Sequence, residues 1–197
     1  MVSLPICPKS SLDIRPIDWA GLPRRFLNPG ELEVLIALVR SVNARHVIEF
    51  GVNVGRTAKA ILANVVTVED YTGIDVTPDY RPSKAVQRHE VPDRPGELVT
   101  CDPRFRLIVT PRGSLDLTAD DLQLCDAAFI DGDHGHEAVM HDTALAGALV
   151  RSGGIIIWHD YHDLGTVDVK TVLDAYYRAG HAIVHVAGTW LAFERVK

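Results

Sequence analysis

The sequence has few of the features that mark a disulfide scaffold, a membrane span or a secreted protein. It holds only three cysteines, Cys7, Cys101 and Cys125, which lie far apart and form no Cys-x-x-Cys pair. A zinc knuckle or redox pair is therefore excluded, and we expect reduced thiols. No apolar run approaches the roughly 18 residues of a bilayer span, and residues 1–10 lack the pattern of a secretion signal. We expect a cytoplasmic protein with no membrane partner.

Positive charge is also scarce. The chain has 20 Lys and Arg residues against 26 Asp and Glu residues, which gives a formal net charge of −6 at pH 7. Such a surface repels a phosphate backbone, so we expect no nucleic-acid partner.

The chain does have a regular alternation of short β-branched runs with segments of helical period. Its 197 residues, 47% of them hydrophobic, are enough for one domain with a substantial core. The alternation predicts an α/β fold, a Rossmann-like doubly wound and mostly parallel seven-stranded sheet with a C-terminal antiparallel hairpin. The predicted strands are residues 46–50, 71–75, 105–109, 126–131, 154–159, 182–187 and 190–195. The predicted helices are residues 29–42, 56–63, 137–150 and 167–178.

Two segments stand apart from this rhythm. Residues 1–45 are predicted as an N-terminal helical segment whose helix begins at an Asn28 N-cap. Residues 77–103 contain five prolines and cannot form one long helix. That second segment is either an irregular surface connection or a lid that faces the substrate.

An apolar segment, residues 47–50, runs into a Gly-x-x-x-Gly turn and then a helix. Gly51 and Gly55 would let the backbone approach a ligand, and a helix N-terminus offers free N–H groups. Asp75 ends the next strand, 26 positions after Glu49, where a carboxylate can accept hydrogen bonds from both ribose hydroxyls. The pattern favours a nucleoside ligand, although the glycines do not complete a G-x-G-x-x-G fingerprint. Purely structural glycines and a turn-capping Asp remain the alternative.

Polar clusters follow two later strands. One run reads FIDGDHGHE from residue 129, and a Gly-Gly strand ends in WHDY at residue 161. Neighbouring parallel strands lie roughly 4.8 Å apart, so Asp131 and Asp133 can face His159 and Asp160. Carboxylate and imidazole groups in this arrangement are typical of a divalent cation site.

These motifs together resemble class I S-adenosylmethionine-dependent methyltransferases, in the small-molecule O-methyltransferase branch that includes the macrocin and catechol enzymes. The resemblance covers residues 47–161. It implies that Glu49 and the Gly51 turn flank the amino-acid end of S-adenosylmethionine, and that Asp75 holds its ribose. The candidate cofactor-binding residues are Glu49, Gly51, Asn53, Gly55, Thr57, Asp75, Ser114 and Asp131. Relatives often have glycine where Asn53 stands, and Ser114 occupies the place of an adenine contact.

The resemblance also implies a metal site and a general base. Asp131, His159 and Asp160 match the residues that ligate Mg²⁺ in metal-dependent relatives, and Asp133 matches a general base. Many metal-binding relatives carry an acid where His159 stands. Because Mg²⁺ prefers oxygen ligands, His159 argues against a metal or shifts the preference towards another, borderline divalent cation.

The predicted activity is methyl transfer from S-adenosylmethionine to the hydroxyl of a small molecule, such as a sugar, a phenol or a natural-product intermediate. A hydroxyl acceptor needs a base, for which Asp133 and His134 are the candidates, or a cation. The alternatives are an NAD(P)-linked oxidoreductase, a metal-dependent hydrolase using Asp131, His159 and Asp160, and a non-catalytic cofactor-binding protein. The sequence does not identify the acceptor, whose pocket we expect among residues 1–28 and 77–103. It also leaves open whether the chain forms a homo-oligomer.

Overall fold

The chain folds around one eight-stranded sheet, which a computed structural model describes over residues 3–23 and 27–197. The strand order is β1-β7-β8-β6-β5-β2-β3-β4. β8 is antiparallel to both of its neighbours, and the other described pairings are parallel. The strands are β1 (Ile6–Cys7), β2 (His46–Phe50), β3 (Asp70–Val76), β4 (Phe105–Thr110), β5 (Cys125–Ile130), β6 (Val150–Trp158), β7 (Val184–Val186) and β8 (Ala192–Arg195). The predicted α/β class and terminal hairpin are confirmed.

The prediction of seven strands is wrong by one. β1 adds an eighth strand at the edge of the sheet, where Ile6 pairs with His185 and Cys7 with Val186. A strand of two residues is too short to show the alternation that reveals strands in a sequence.

In the described part of the chain, four α-helices cover the two faces of the sheet: α1 (Glu31–Arg40), α2 (Arg56–Asn64), α3 (His136–Leu149) and α4 (Val169–Arg178). One core packs Val47 of β2 against α1 and α2. The other packs Ile48 and Phe50 of the same strand against α3 and α4. A strand with apolar side chains on both faces belongs in the middle of a doubly wound sheet, which is where β2 lies.

The start of α1 differs from the prediction. The helix begins two residues after Pro29, and its N-cap is Gly30 with φ +81°, not Asn28. The Asn28 N–H instead donates to Glu31 Oε2, and the Glu31 N–H donates to Asn28 O at 3.0 Å. Only a residue that tolerates positive φ suits this tight entry, which gives glycine the cap position.

The remaining N-terminal residues are less helical than predicted. Residues 1–45 hold β1 and a short 3₁₀ turn at Lys9–Ser11 in addition to α1. Met1, Val2 and residues 24–26 of the predicted segment and acceptor pocket lie outside the described residues. Within the described part of the chain, no helix is both long and apolar enough to cross a bilayer.

The segment at residues 77–103 is irregular, as predicted, apart from a 3₁₀ turn at Ala85–His89. Gln87 fastens that turn to the end of β5. Its Nε2 donates to Gly132 O, and its Oε1 accepts from the His134 N–H, both at 2.8 Å. The segment therefore lies over the carboxyl end of the sheet.

Three neighbouring strands, β2, β5 and β6, end level with one another, and β3 extends two residues beyond them. Phe50 of β2 pairs with Ile74 of β3 and with Ile130 of β5, and Ile130 pairs with Trp158 of β6. The turns that follow these strands consequently meet at one edge. In open α/β sheets this edge, where the strand order reverses, is where ligands bind.

Candidate functional site

A cleft of about 560 Å³ opens at the carboxyl ends of β2, β3, β5 and β6. Tyr80, Pro82 and Gln87 from the 77–103 segment form part of its wall. All but one of the predicted site residues line it: Glu49, Gly51, Asn53, Thr57, Asp75, Ser114, Asp131, Asp133, His134, His159 and Asp160. The sequence motifs therefore converge on one cavity, from which only Gly55 is missing.

The turn after β2 brings the backbone of two strand ends into contact. Gly51 has φ +84°, and a Cβ at this position would lie 2.3 Å from Asp131 O and 2.5 Å from Gly132 Cα. No real Cβ atom fits at such distances from backbone. Gly51 is thus required by the close approach of the β5 turn, in addition to any ligand it contacts.

Gly55 serves the 77–103 segment. Its φ is +89°, and a Cβ there would lie 2.7 Å from Val99 Cγ1 and 3.3 Å from Gly96 Cα. The close packing of this segment on α2 therefore accounts for the second glycine of the motif.

Asn53 takes the place of a glycine in the same turn and adopts φ +49°, a conformation that asparagine tolerates better than most residues. Its side-chain Nδ2 donates to Glu90 O at 2.5 Å, and its N–H donates to Asp75 Oδ2 at 2.5 Å. Asn53 consequently ties the turn both to the 77–103 segment and to the end of β3.

Two carboxyl groups are buried at this end of the cleft. Burial raises the pKa of Asp75, although its oxygens accept the N–H groups of Asn53 and Val76. Burial also raises the pKa of Glu49 well above its usual value, against the hydrogen bond that Tyr71 Oη donates at 3.0 Å. Neither carboxyl is in an ion pair among the described residues, so a bound cation would stabilise both.

Ser114 is buried in a 3₁₀ turn (Gly113–Asp116) that α3 supports. His141 Nε2 lies 2.9 Å from Ser114 O, and the Asp142 side chain is hydrogen-bonded to Ser114. Asp142 Oδ1 has no hydrogen-bond partner among the residues that the structure describes, and burial raises the pKa of this carboxyl to about 7. No sequence motif identified Asp142. Its signal was a charge three residues from both Val139 and Leu145, on the buried face of a helix.

The opposite end of the cleft holds an alternating ring of carboxylates and imidazoles. His134 Nε2 lies 2.5 Å from Asp160 Oδ2 and 3.8 Å from Asp131 Oδ1. His159 Nδ1 lies 3.2 Å from Asp131 Oδ1 and 3.5 Å from Asp160 Oδ1. We call these four residues the acid–histidine centre.

The charges within the acid–histidine centre stabilise one another. Burial would lower the pKa of both histidines, but the hydrogen bond to Asp160 and the charge of Asp131 raise the pKa of His134. The same two carboxylates raise that of His159 well above its usual value. Burial would likewise raise the pKa of Asp160, yet its hydrogen bonds from both histidines hold it well below the usual range. Asp160 has φ +57°, an uncommon conformation for a residue other than glycine and one found at functional sites.

Glu31, which no sequence motif identified, lies directly behind this centre. Its side chain is fully buried and accepts from His159 Nε2 at 3.1 Å and from the Trp190 N–H at 2.5 Å. Burial would raise the pKa of Glu31, but these hydrogen bonds lower it. Glu31 begins α1, far from the motifs in sequence, so strand-end patterns could not reveal it.

Asp133 is saturated with hydrogen-bond donors. Its two oxygens accept from Tyr80 Oη at 2.8 Å, Ser83 Oγ at 3.0 Å, the Ser83 N–H at 3.1 Å and the Gly135 N–H at 2.7 Å. Burial would raise its pKa, but these donors hold it below the usual value. The Asp133 carboxylate thus joins the 77–103 segment to the end of β5.

Comparison with known proteins matches the chain to one family and to several solved folds. A family model described as a methyltransferase domain matches residues 48–161. Cofactor-bound Rv0187 from MTB is 22% identical, with a TM-score of 0.61 over 90% of this chain and 84% of that one. The O-methyltransferase TomG from Streptomyces achromogenes, crystallised with SAM, is 13% identical, with a TM-score of 0.59 over 95% and 94%.

A third solved structure gives the same fold. The SAH-bound methyltransferase PaMTH1 from Podospora anserina is 13% identical, with a TM-score of 0.59 over 85% of this chain and 78% of that one. No curated protein sequence matches the chain. At these identities the solved structures establish the fold.

Proposed function

The chain belongs to the methyltransferase domain family, and from that premise we propose that it transfers a methyl group from S-adenosylmethionine to a hydroxyl of a small molecule. The observation that carries the proposal is the single cleft that joins Asp75 and the Gly51 turn to Asp131 and Asp133. Solved structures of the same fold bind SAM or SAH. Family membership favours methyl transfer over the oxidoreductase, hydrolase and non-catalytic alternatives.

The cofactor would lie along the turn after β2. Asp75 would accept the ribose hydroxyls, since each of its oxygens now accepts only one backbone N–H and has a lone pair left. Ser114 would contact the adenine, and Thr57 and Asn53 would line the wall beside it. Glu49 and Asp131 would face the amino-acid end of the cofactor, where its positive charge would supply Glu49 with the counter-charge that this carboxyl lacks.

Methyl transfer itself is an in-line displacement in which the acceptor oxygen attacks the methyl carbon of S-adenosylmethionine while the thioether leaves. The chain must align the acceptor and remove its proton. We assign the proton to Asp133, which must first release one of the donors from Tyr80 or Ser83. His134 is the second candidate, but its hydrogen bond to Asp160 favours the protonated imidazolium.

A divalent cation is an optional part of this proposal, and the donor set suits one. Asp131, His159 and Asp160 would hold it, and His134 would join them, because ligand atoms of Asp131, His134 and Asp160 all lie within 4.8 Å of one another. Neighbouring donor atoms in the acid–histidine centre lie 2.5 to 3.8 Å apart. Bonds of about 2.1 Å in a tetrahedral site would separate the ligand atoms by about 3.4 Å. When bound, such an ion would lower the pKa of the acceptor hydroxyl.

Calorimetry with S-adenosylmethionine and S-adenosylhomocysteine tests the cofactor assignment. We expect both to bind, and Asp75→Asn to weaken binding by about 10- to 100-fold, because hydrogen bonds to a charged group are lost. Asp70→Asn, at the exposed start of the same strand, is the matched control and should bind normally.

Formation of S-adenosylhomocysteine with a panel of hydroxylated acceptors tests the transfer. A product that gains one methyl group on oxygen, identified by mass spectrometry, would support the proposal. Failure of the unaltered chain to bind either nucleoside at micromolar concentrations would reject it.

A further inference from the structure

Glu31 contacts one ring nitrogen of His159, and carboxylates of the cleft contact the other. Its Oε2 accepts from His159 Nε2 at 3.1 Å, and it keeps this position because its other contacts come from the backbone N–H groups of Trp190 and Asn28. With Nε2 engaged, Nδ1 is the ring nitrogen directed at Asp131 and Asp160.

The same arrangement recurs in proteins wherever a carboxylate orients a histidine that binds a metal ion. The carboxylate fixes the tautomer and the ring plane and makes the free nitrogen a better ligand. Glu31 is fully buried and unscreened by water, so its negative charge acts strongly on the adjacent imidazole.

A nitrogen ligand at residue 159 changes what the acid–histidine centre prefers. The four residues of the acid–histidine centre then offer two imidazole nitrogens, from His134 and His159, and two carboxylates, from Asp131 and Asp160. Mg²⁺ selects oxygen ligands in octahedral geometry, whereas mixed nitrogen and oxygen donors suit borderline ions such as Co²⁺ and Zn²⁺.

We propose that Glu31 is a positioning residue that fixes His159 as a nitrogen ligand, so that the centre binds a borderline divalent cation in preference to Mg²⁺. The proposal rests on the cation site included in the proposed function and does not depend on methyl transfer. It also gives a role to a carboxyl that the sequence motifs do not contain.

The test uses the full chain after dialysis against a chelator, with Co²⁺ and Mg²⁺ as the probes. We expect Co²⁺ to give the visible absorption of a nitrogen- and oxygen-ligated site. By calorimetry it should bind at least 100-fold more tightly than Mg²⁺. Equal affinity for the two ions, or no binding of either, would overturn the proposal. Cofactor binding measured on the same sample would report separately on the proposed function.

Two variants then isolate Glu31. Glu31→Gln should weaken Co²⁺ binding by about 10- to 100-fold and alter the absorption spectrum, while affinity for S-adenosylhomocysteine stays unchanged. Glu194→Gln is the matched control, because Glu194 Oε2 contacts His181 Nδ1 at the same 3.1 Å on the protein surface, away from the cleft. It should leave both measurements unchanged.

One double variant guards against a folding defect in Glu31→Gln. His159→Asp combined with Glu31→Gln replaces the nitrogen ligand by oxygen and removes the repulsion between two acids. We expect the ratio of Mg²⁺ affinity to Co²⁺ affinity to be higher in this double variant than in the unaltered chain. Unchanged ion preference in the double variant, or undiminished Co²⁺ affinity in Glu31→Gln, would refute the role of Glu31.

Discussion

The two ends of the cleft bury similar numbers of carboxyl groups in opposite ways. At the end formed by the Gly51 turn and the end of β3, which we call the nucleoside end, Glu49 and Asp75 are buried without an ion pair among the described residues, and burial raises the pKa of both. At the acid–histidine end, contacts with histidine lower the pKa of Glu31 and Asp160.

The carboxyl groups of the nucleoside end therefore lack a counter-charge, whereas those of the acid–histidine end are already paired with histidines. Buried carboxyl groups without an ion pair raise the free energy of the protein, and a cationic ligand in the cleft would lower it. Carboxylates already paired with imidazolium groups must exchange those partners before they can bind anything else. Four substitutions test whether the two ends behave independently.

The largest effect is expected at the acid–histidine end. Asp133→Asn removes the proposed base, so kcat should fall by about 10²- to 10⁴-fold. Affinity for S-adenosylhomocysteine should stay near that of the unaltered chain, because the nucleoside end is untouched. Steady-state kinetics and calorimetry provide the two readouts, with exposed Asp120→Asn as the control. Retained turnover would remove Asp133 from the base role.

A substitution at the contact between the two ends should damage both. Gly51→Ala places a Cβ against the backbone of Asp131 and Gly132 in a left-handed conformation. We expect a loss of about 3 kcal/mol in unfolding free energy. Gly147→Ala is the control: this exposed helical glycine has no atom within 4 Å of an added Cβ, so alanine should stabilise the chain slightly. Urea unfolding of both variants would show whether they differ.

The raised pKa of Asp142 predicts a pH-dependent effect on stability. The unfolded carboxyl titrates near 3.9 and the folded one at about 7. The folded state therefore holds a proton that the unfolded state has lost, and stability declines as pH rises through that window. Asp142→Asn removes this decline, and its advantage over the unaltered chain should grow by about 2 kcal/mol between pH 5 and pH 8. Urea unfolding at pH 5 and pH 8 provides the measurement. The same stability difference between Asp142→Asn and the unaltered chain at both pH values would contradict a raised pKa for Asp142.

The smallest effect is expected from the hydrogen bond between Tyr80 and Asp133. Tyr80→Phe removes one of four donors, so we expect a loss of about 1 kcal/mol in stability. Thermal unfolding provides the measurement. The change in kcat should stay under about tenfold, since Ser83 and Gly135 still hold Asp133. A loss as large as that of Asp133→Asn would mean that Tyr80 itself handles the proton.

The sequence predicted those parts of the site that follow directly from strand ends. Hydrophobic alternation located β2, β5 and β6 to within a few residues, and parallel neighbours had to bring Asp131 close to Asp160. The same reasoning predicted that residues 77–103 are irregular, because proline excludes a long helix.

The missed features depend on contacts between segments distant in sequence. Glu31 approaches His159 only because α1 packs beside the end of β6, and no local pattern encodes that approach. Likewise, the glycines of the turn looked like ligand contacts, while the structure shows that Gly51 accommodates the β5 turn and Gly55 accommodates Val99. A glycine that backbone packing requires and a glycine that a ligand requires look the same in a sequence.

The amide of Gln87 has a consequence for engineering. Through one side chain, the 77–103 segment completes the hydrogen bonding of backbone that belongs to the β5 turn. A chimera that imports this segment from another protein would leave a carbonyl and an amide unsatisfied beside the reaction unless glutamine is retained at the equivalent place. Exchange of this segment to recruit new acceptors should therefore keep glutamine at this position, together with the donors that Tyr80 and Ser83 provide to Asp133.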